Sequence, residues 1–222
     1  MNETVQKTVQ KAAEPAPTRT NDPARTTAEI LAVATHEFAD KGLTGARIDA
    51  IAAATRTSKR MIYYYFGSKE GLYVAVLEDA YRRVRSTEGD LHLEDLPPML
   101  ALRRLVEFTV DHHYGNQDYI RLVMSENIQR AQYLMQSKSI QRVNRAAIQT
   151  IDKLYNRGVA DGVFRAGLDP VDIHASISAL SFFNVSNQYT FSLIFDRDTQ
   201  SDQARTQRRA NIVDMVVRFV GI

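Results

Sequence analysis

Apolar residues recur every three or four positions along most of this chain. Ile30, Ala34 and Phe38 lie four residues apart, and so do Ile62 and Phe66. Such spacing places side chains on one face of an α-helix, whereas the strict alternation typical of β-strands is not found, nor is an internal repeat. The sequence therefore predicts an all-α fold.

The helical pattern divides the chain into three parts. Residues 1–24 are rich in Thr, Gln, Ala and Pro without periodicity, which predicts a flexible N-terminal tail. Short helices follow in a predicted domain at 25–70, and longer helices form a second at 71–222. A capping box formed by Thr26 and Glu29 predicts the start of the first helix, and Gly42 predicts its end. The later helices are predicted at Pro97 to Tyr114, Gln117 to Arg130, Ser137 to Ala160, Asp169 to Phe195, and Asp202 to Phe219.

Composition excludes several classes of protein. The 222 residues include no cysteine, which rules out disulfides, thiolate metal sites and cysteine nucleophiles. No apolar run is long enough for a membrane-spanning helix or a signal peptide, so we expect no contact with a membrane and a location in the cytoplasm. We expect neither a metal nor a cofactor.

Positive charge is concentrated in one segment. Six basic residues and one acid lie between Lys41 and Lys69, a local net charge of +5 that leaves −3 for the rest of a chain whose total is +2. A basic block of this kind either forms an ordinary solvated face or meets a polyanion such as nucleic acid.

The segment beginning at Ser58 favours the nucleic-acid interpretation. With Ser58 as N-cap, Ile62 and Phe66 face inward, which leaves Lys59, Arg60, Tyr63 and Tyr64 on outward faces. A tight turn at 55–57 joins this helix to the preceding short one, as in a helix-turn-helix. We therefore expect this helix to enter the major groove of DNA.

The same residues resemble a known family. The run from Ser58 to Leu72 (SKRMIYYYFGSKEGL), with Phe38-Ala39-Asp40-Lys41-Gly42 and Ile51-Ala52 upstream, is similar to the recognition-helix signature of TetR-type bacterial regulators. The resemblance implies an N-terminal helix-turn-helix DNA-binding domain and a C-terminal helical domain for ligand binding and dimerisation. Two positions depart from the family pattern. Ala46 stands where Thr usually caps the second helix, and Arg56 stands where Gly usually occupies the turn, so Arg56 either adopts a left-handed conformation or marks a different turn.

The predicted DNA contacts fall on and around this helix. Arg60 and Lys59 lie in its first turn, where an arginine can bind guanine O6 and N7. The tyrosines donate to phosphate or pack on thymine, although Tyr65 alternatively belongs to the core. Lys69 opens the next helix, where a phosphate is expected. The complete predicted set is Arg47, Ser58, Lys59, Arg60, Met61, Tyr63, Tyr64, Tyr65 and Lys69.

The resemblance implies that the second domain forms a homodimer, so that two recognition helices read the two halves of a palindromic operator. Apolar stripes on the last helices, such as Ile177, Leu193, Ile194 and Ile212, suggest a partner surface. Polar residues among aromatics suggest a pocket for a small planar or carboxylated molecule, although these amides alternatively bond within the bundle. The region from Gly162 to Phe191 looks most like regulators of nitrogen-heterocycle breakdown. The predicted effector-binding set is His113, Arg121, Asn127, Phe183, Asn184, Asn187 and Gln188.

The resemblance implies a sequence-specific transcriptional regulator, a repressor that a small-molecule effector releases from its operator, and two other functions compete with this prediction. An enzyme is disfavoured because the adjacent His112 and His113 point about 100° apart on a helix, and no H-x-x-x-H pair, nucleophile elbow or phosphate-binding glycine loop is found. A protein that coats DNA without sequence preference would also bind in a salt-dependent manner. Preference for one palindromic site over bulk DNA distinguishes that protein from a regulator.

Overall fold

The computed structural model describes residues 22–222, and within this range the chain is all-α, as predicted. Two short 3-10 turns, Leu93–Asp95 and Leu134–Gln136, and an isolated bridge between Phe164 and Gly221 complete the secondary structure of this range. No helix in it is long and apolar enough to cross a membrane. The α-helices are α1 Pro23–Gly45, α2 Ile48–Ala54, α3 Lys59–Phe66, α4 Lys69–Gly89, α5 Pro98–Gly115, α6 Gln117–Ile128, α7 Lys138–Ala160, α8 Pro170–Ser186, α9 Gln188–Phe195 and α10 Asp202–Val220.

Helix α1 begins earlier than the capping pattern predicted. Asp22 is the N-cap, because its carboxylate accepts hydrogen bonds from the backbone N–H groups of Ala24 and Arg25, and Pro23 occupies the first helical position. The capping box at Thr26 is therefore wrong, and the Thr26 hydroxyl donates to the Asp22 carbonyl instead. The predicted stop at Gly42 is confirmed by its φ of 65°, which breaks the regular helix there. Residues 1–21 of the predicted tail lie outside the described range.

Helices α1 to α4 share one core. The apolar faces that the periodicity predicted are buried, among them Ile30, Phe38, Ile62 and Leu72. Ser58 and Ser68 cap α3 and α4 as predicted, with their hydroxyls accepting from the backbone N–H groups of residues 61 and 71. The order and packing of α1, α2 and α3 are those of a helix-turn-helix unit.

The turn before α3 contains a strained residue. Arg56 has a φ of 50°, so this chain accepts the left-handed conformation at the position where glycine is usual in the resembling family. The first of the two alternatives for Arg56 is therefore the one observed.

Helix α4 connects this unit to the rest of the molecule. Its first half contributes Leu72, Tyr73 and Val76 to the N-terminal core, where the Tyr73 ring packs edge-on against Phe38 at a centroid distance of 5.1 Å. Its middle is joined to the start of α7, because the Ser137 hydroxyl donates to the Glu78 carboxylate at 2.5 Å. A movement of α4 therefore involves both parts of the chain.

Helices α5, α7, α8 and α10 enclose a second core. The apolar residues Ile177, Ile212, Val213 and Val216 are each at most 5% exposed within it. These side chains are buried within a single chain, so the apolar stripes that they form do not indicate a partner surface, contrary to the prediction. Leu193 and Ile194 on α9 differ, with exposures of 84% and 70%.

The predicted long helix from Asp169 to Phe195 is two helices. Asp169 is the N-cap and Pro170 the first residue, as predicted, but the chain bends at Asn187, whose φ and ψ of −108° and 6° lie outside the helical range. Apolar residues on both sides of Asn187 continue without a glycine or proline, so the pattern contained no signal for the bend.

Candidate DNA-binding surface and ligand cavities

Helix α3 presents the outward ridge that its sequence predicted. Ile62 is completely buried, whereas Tyr63 and Tyr64 are 43% and 77% exposed and Lys59 and Arg60 are exposed beside them. Tyr65 is half-buried against the N-terminal core, with its ring 5.3 Å from that of Tyr64, so both of its predicted roles are compatible with its position. Met61 is also half-buried.

The lysines of the basic segment are engaged, whereas the arginines are not. Lys41 pairs with Glu37 at 2.7 Å, Lys59 pairs with Asp49, and the Lys69 ammonium donates to the Thr44 carbonyl at 3.3 Å. The arginines of the same segment are Arg47, Arg56 and Arg60. Their side chains are exposed and form no ion pair with any residue in 22–222. The freely available positive charge therefore belongs to guanidinium groups, which bind phosphate and guanine in bidentate fashion.

The N-terminus of α2 is stabilised from a distance. Arg47 is the N-cap and its side chain makes no capping bond, but its backbone N–H donates to the Glu37 carboxylate of α1 at 3.0 Å. A hydrogen bond from Lys41, and this backbone bond, hold the pKa of Glu37 below its usual value. The predicted cap at Ala46 is therefore wrong by one residue: Ala46 ends α1, Arg47 is the N-cap of α2, and Glu37 supplies the side-chain hydrogen bond at this end of the helix.

A cavity of about 330 Å³ lies between α4, α5, α6, α7 and α8. Its polar floor is formed by Arg85, which pairs with Glu88 in the last part of α4 and donates to the Asn144 side chain of α7 at 3.0 Å. Its walls are largely aromatic. They include Tyr81, Phe108, His112, His113, Tyr119, His174 and Phe182.

The three histidines of this central cavity are neutral at pH 7. Burial lowers the pKa of His113 and of His174 to about 4, with a smaller contribution from the positive charge of Arg85, and burial also lowers the pKa of His112. Burial raises the pKa of Tyr119, so its hydroxyl stays protonated. The cavity therefore combines the Arg85–Glu88 ion pair with neutral aromatic and imidazole surfaces.

A second cavity of about 600 Å³, the α8–α10 cavity, contains four of the predicted effector residues. Asn184 accepts a hydrogen bond from the Arg208 guanidinium at 2.7 Å, and Arg197 also lines the space. The bend at Asn187 brings residues of α8 and α9 to the same opening. The predicted residues found here are Phe183, Asn184, Asn187 and Gln188.

The other predicted effector residues do not line the α8–α10 cavity. His113 lines the central cavity. Arg121 pairs with Asp40 of α1 at 3.6 Å and, together with Gln188, lines a third cavity of about 310 Å³ between α1, α6 and the α8–α9 bend. The exposed Asn127 donates to the Val123 carbonyl at 2.9 Å and lines none of these three cavities. Sequence reasoning passed over Arg85, Asn144 and His174, because a single polar residue on an amphipathic helix carries no signal of the cavity that it meets.

Among the described residues, one group of side chains is close enough to share a metal ion: His92, Glu94 and Asp95. All three are exposed at a 3-10 turn that touches neither cavity.

Comparison with known proteins identifies both parts of the chain. Residues 30–76 match the family described as bacterial regulatory proteins, tetR family, and residues 98–216 match the tetracyclin repressor-like C-terminal domain. The HTH-type transcriptional repressor NicS of Pseudomonas putida is 31% identical over 194 residues, which cover 87% of this chain and 92% of NicS. The HTH-type transcriptional regulator RutR of Escherichia coli is 30% identical over 106 residues, 48% of this chain and 50% of RutR.

Solved structures show the same fold. The protein SCO4942 from Streptomyces coelicolor superposes with a TM-score of 0.66 at 29% identity and covers 88% of this chain and 98% of its own. AibR, solved in complex with isovaleryl coenzyme A and operator DNA, has a TM-score of 0.66 at 16% identity over 86% of this chain and 97% of its own. The chain therefore belongs to the tetR family of bacterial regulatory proteins and is a DNA-binding transcriptional regulator.

Proposed function

We propose that this protein is a homodimeric repressor that binds a palindromic operator in the cytoplasm and leaves it when a small molecule binds. The exposed ridge on α3, held outward by the buried Ile62, is the observation that supports DNA reading. Two copies of one recognition helix suit two half-sites related by two-fold symmetry. We further propose that residues 25–70 are the DNA-binding domain and residues 71–222 the effector-binding and dimerisation domain, and that the chain has no catalytic role.

Arg60 is the proposed base-reading residue. It lies in the first turn of α3, is exposed and has no ion-pair partner in the described chain. Tyr63 and Tyr64 follow on α3 and are proposed to contact phosphate or thymine methyl groups. Arg47 and Lys69 lie at the starts of the flanking helices and are proposed to contact the DNA backbone. Ser58 and Met61 complete the surface, and Tyr65 supports it from below.

The division between base and phosphate contacts is testable by two substitutions. Arg60→Ala is expected to reduce affinity for the selected operator by about 1–3 kcal/mol and to leave affinity for random DNA nearly unchanged. Lys69→Ala is expected to weaken all sequences alike and to flatten the salt dependence. Binding to a genomically selected operator and to a random duplex, each over a range of salt concentrations, provides the measurement. Indistinguishable effects of the two changes would contradict the assignment.

The central cavity is the proposed effector site. An anion is favoured because Arg85 supplies the cavity's guanidinium and its Glu88 partner is on the same helix, so a ligand carboxylate competes with Glu88 for Arg85. The stacked aromatic walls, including His113 and Tyr119 at a centroid distance of 6.2 Å, suit a planar ring. The effector class is therefore a planar carboxylated molecule, such as a heterocycle.

Helix α4 provides the proposed route from effector to DNA. It starts at Lys69, directly after the recognition helix, and carries Arg85 and Glu88 into the cavity four turns later. A ligand that draws Arg85 away from Glu88 favours a different position of α4 and hence a different separation of the two recognition helices. Ligand and operator affinities are then coupled through this helix.

Matched ligands test this proposal. Benzoate and nicotinate are expected to release the operator, whereas benzamide and nicotinamide, of the same shape without the charge, are expected to be weaker. Arg85→Ala should remove the response, and Asn127→Ala, which lies outside both cavities, should keep it. An equal operator affinity with and without every carboxylate would reject this effector class but leave DNA binding intact.

The α8–α10 cavity is a second candidate for the effector site. Two guanidinium groups, those of Arg197 and Arg208, line it together with the amides of Asn184, Asn187 and Gln188. A response that survives Arg85→Ala but is lost in Arg208→Ala would place the effector there instead.

A further inference from the structure

An acidic residue lies within the most basic part of the chain. Asp49 is the only Asp or Glu between Lys41 and Lys69. It occupies the first turn of α2, and its carboxylate contacts the Lys59 ammonium in the first turn of α3. The side chains are 50% and 57% exposed, and Lys59 directly precedes the exposed Arg60 in the first turn of α3.

The position of Asp49 is stable without DNA. A carboxylate in the first turn of a helix is favoured by the unpaired N–H groups and the dipole of that helix. The carboxylate is also within reach of Lys59 across the turn that joins α2 and α3, so it tethers the two helices of the DNA-reading unit. An isolated exposed ion pair contributes little to folding, and the pair therefore matters mainly for what binds at this surface.

DNA changes the balance at this pair. The Lys59 ammonium, when oriented toward Asp49, is turned away from phosphate, and part of its positive charge is offset by the carboxylate. Sequence-independent affinity depends on the number of phosphates that cations neutralise. Base reading by Arg60 does not depend on that number, because Arg60 has no acidic partner in the described chain.

We propose that Asp49 is a specificity-determining residue of the DNA-binding surface: by pairing with Lys59 it keeps that ammonium group off the phosphates and so holds down affinity for non-operator DNA. The base contacts of Arg60 then account for a larger share of the binding. Asp49 acts through Lys59 and needs no contact with DNA itself.

Affinity for a random 30-base-pair duplex tests this directly, because the operator sequence is not needed. Asp49→Asn removes the charge and keeps the shape, and should allow Lys59 to neutralise one more phosphate in each protomer that contacts the duplex. The plot of log affinity against log salt should steepen by about 0.9 per protomer, and affinity near 0.1 M salt should rise about 3- to 10-fold. Asp49→Ser, which keeps an acceptor in the first turn of α2, is measured in parallel. Circular dichroism melting establishes that both variants are folded.

Two comparisons separate this proposal from general electrostatics. Asp152→Asn removes an exposed carboxylate from α7, which among residues 22–222 accepts a hydrogen bond from Asn156 alone, and should change affinity less than about twofold. In a Lys59→Ala background, Asp49→Asn should also have an effect below about twofold, because the cation that it would release is gone.

The ratio of operator to random-duplex affinity is the final readout. Base contacts fix the position of α3 on the operator, so a released Lys59 gains less there, and the ratio should fall severalfold in Asp49→Asn. Unchanged or weaker binding of the random duplex by Asp49→Asn would overturn the proposal. A gain that is equally large without Lys59 would overturn it too, since Asp49 would then act by direct repulsion.

Discussion

At the scale of single residues, a few residues occupy a backbone conformation or an environment that is unfavourable for their type, and the rest of the fold compensates for the cost. Arg56 has a positive φ without a glycine's freedom, and it is exposed with no ion-pair partner among residues 22–222. His113 and His174 are buried where a charge is unfavourable. Each conflict predicts a measurable change.

Arg56→Gly should stabilise the protein by about 0.5 kcal/mol. Removing the Cβ relieves a left-handed strain of about 1–2 kcal/mol, part of which is offset by the larger conformational entropy of glycine in the unfolded chain. Urea unfolding measures the change. Arg56→Ala keeps the Cβ and removes the same charge, so it should show no gain. A similar gain in both variants would mean that the charge, not the backbone, destabilises the turn.

Stability should fall as the pH drops from 7 to 5. The pKa of His113 and of His174 in the folded protein is about 4, below the usual 6.5, so the unfolded chain takes up protons in this range and the folded chain does not. The expected loss is about 2 kcal/mol per histidine. Thermal unfolding at the two pH values measures it. His174→Asn should reduce the dependence on pH, and an unchanged dependence in this variant would contradict the assignment.

At the scale of the elements, caps and close contacts decide where each helix begins and ends. Ser58, Ser68, Ser137 and Asp169 each cap a helix at the predicted position because a short polar side chain reaches the free N–H groups of the first turn. The end of α7 depends on a longer-range contact. A Cβ at Gly158 would lie 1.9 Å from the Phe164 ring, so the loop after α7 packs directly on this helix backbone.

Gly158→Ala should therefore destabilise the protein by about 1–3 kcal/mol through overpacking against the buried Phe164. Chemical unfolding of the variant and of Gly89→Ala provides the comparison. Gly89 ends α4 and has no neighbouring atom within 4 Å of the position of an added Cβ, so its replacement should be neutral or slightly stabilising. Equal stabilities of the two variants would show that the loop moves away at little cost.

At the scale of the whole molecule, α9 exposes a run of three large apolar side chains. Leu193, Ile194 and Phe195 of α9 are 84%, 70% and 59% exposed, next to the half-exposed Phe183 of α8. An apolar patch of this kind marks an interaction site, and regulators of this family dimerise, so we expect α9 to belong to the interface.

Leu193→Glu should weaken the dimer about tenfold or more, because a charge would be buried without a partner. Sedimentation over a range of protein concentrations measures the dissociation. Leu100→Glu, on a half-exposed position of α5, is the matched control and should leave the dimer intact. A fully dimeric Leu193→Glu protein would move the interface to another face.

The sequence by itself determined the all-α class, most helix limits and the outward ridge of α3. These features depend on interactions within about four residues, namely the periodic burial of Ile62 and its neighbours and the caps at each first turn. Tertiary structure alone decided the bend at Asn187, the capping of α2 by Glu37, the pairing of Lys59 with Asp49, and the separation of the central cavity from the α8–α10 cavity. Each of these depends on which helices meet in space, and local periodicity leaves that undetermined.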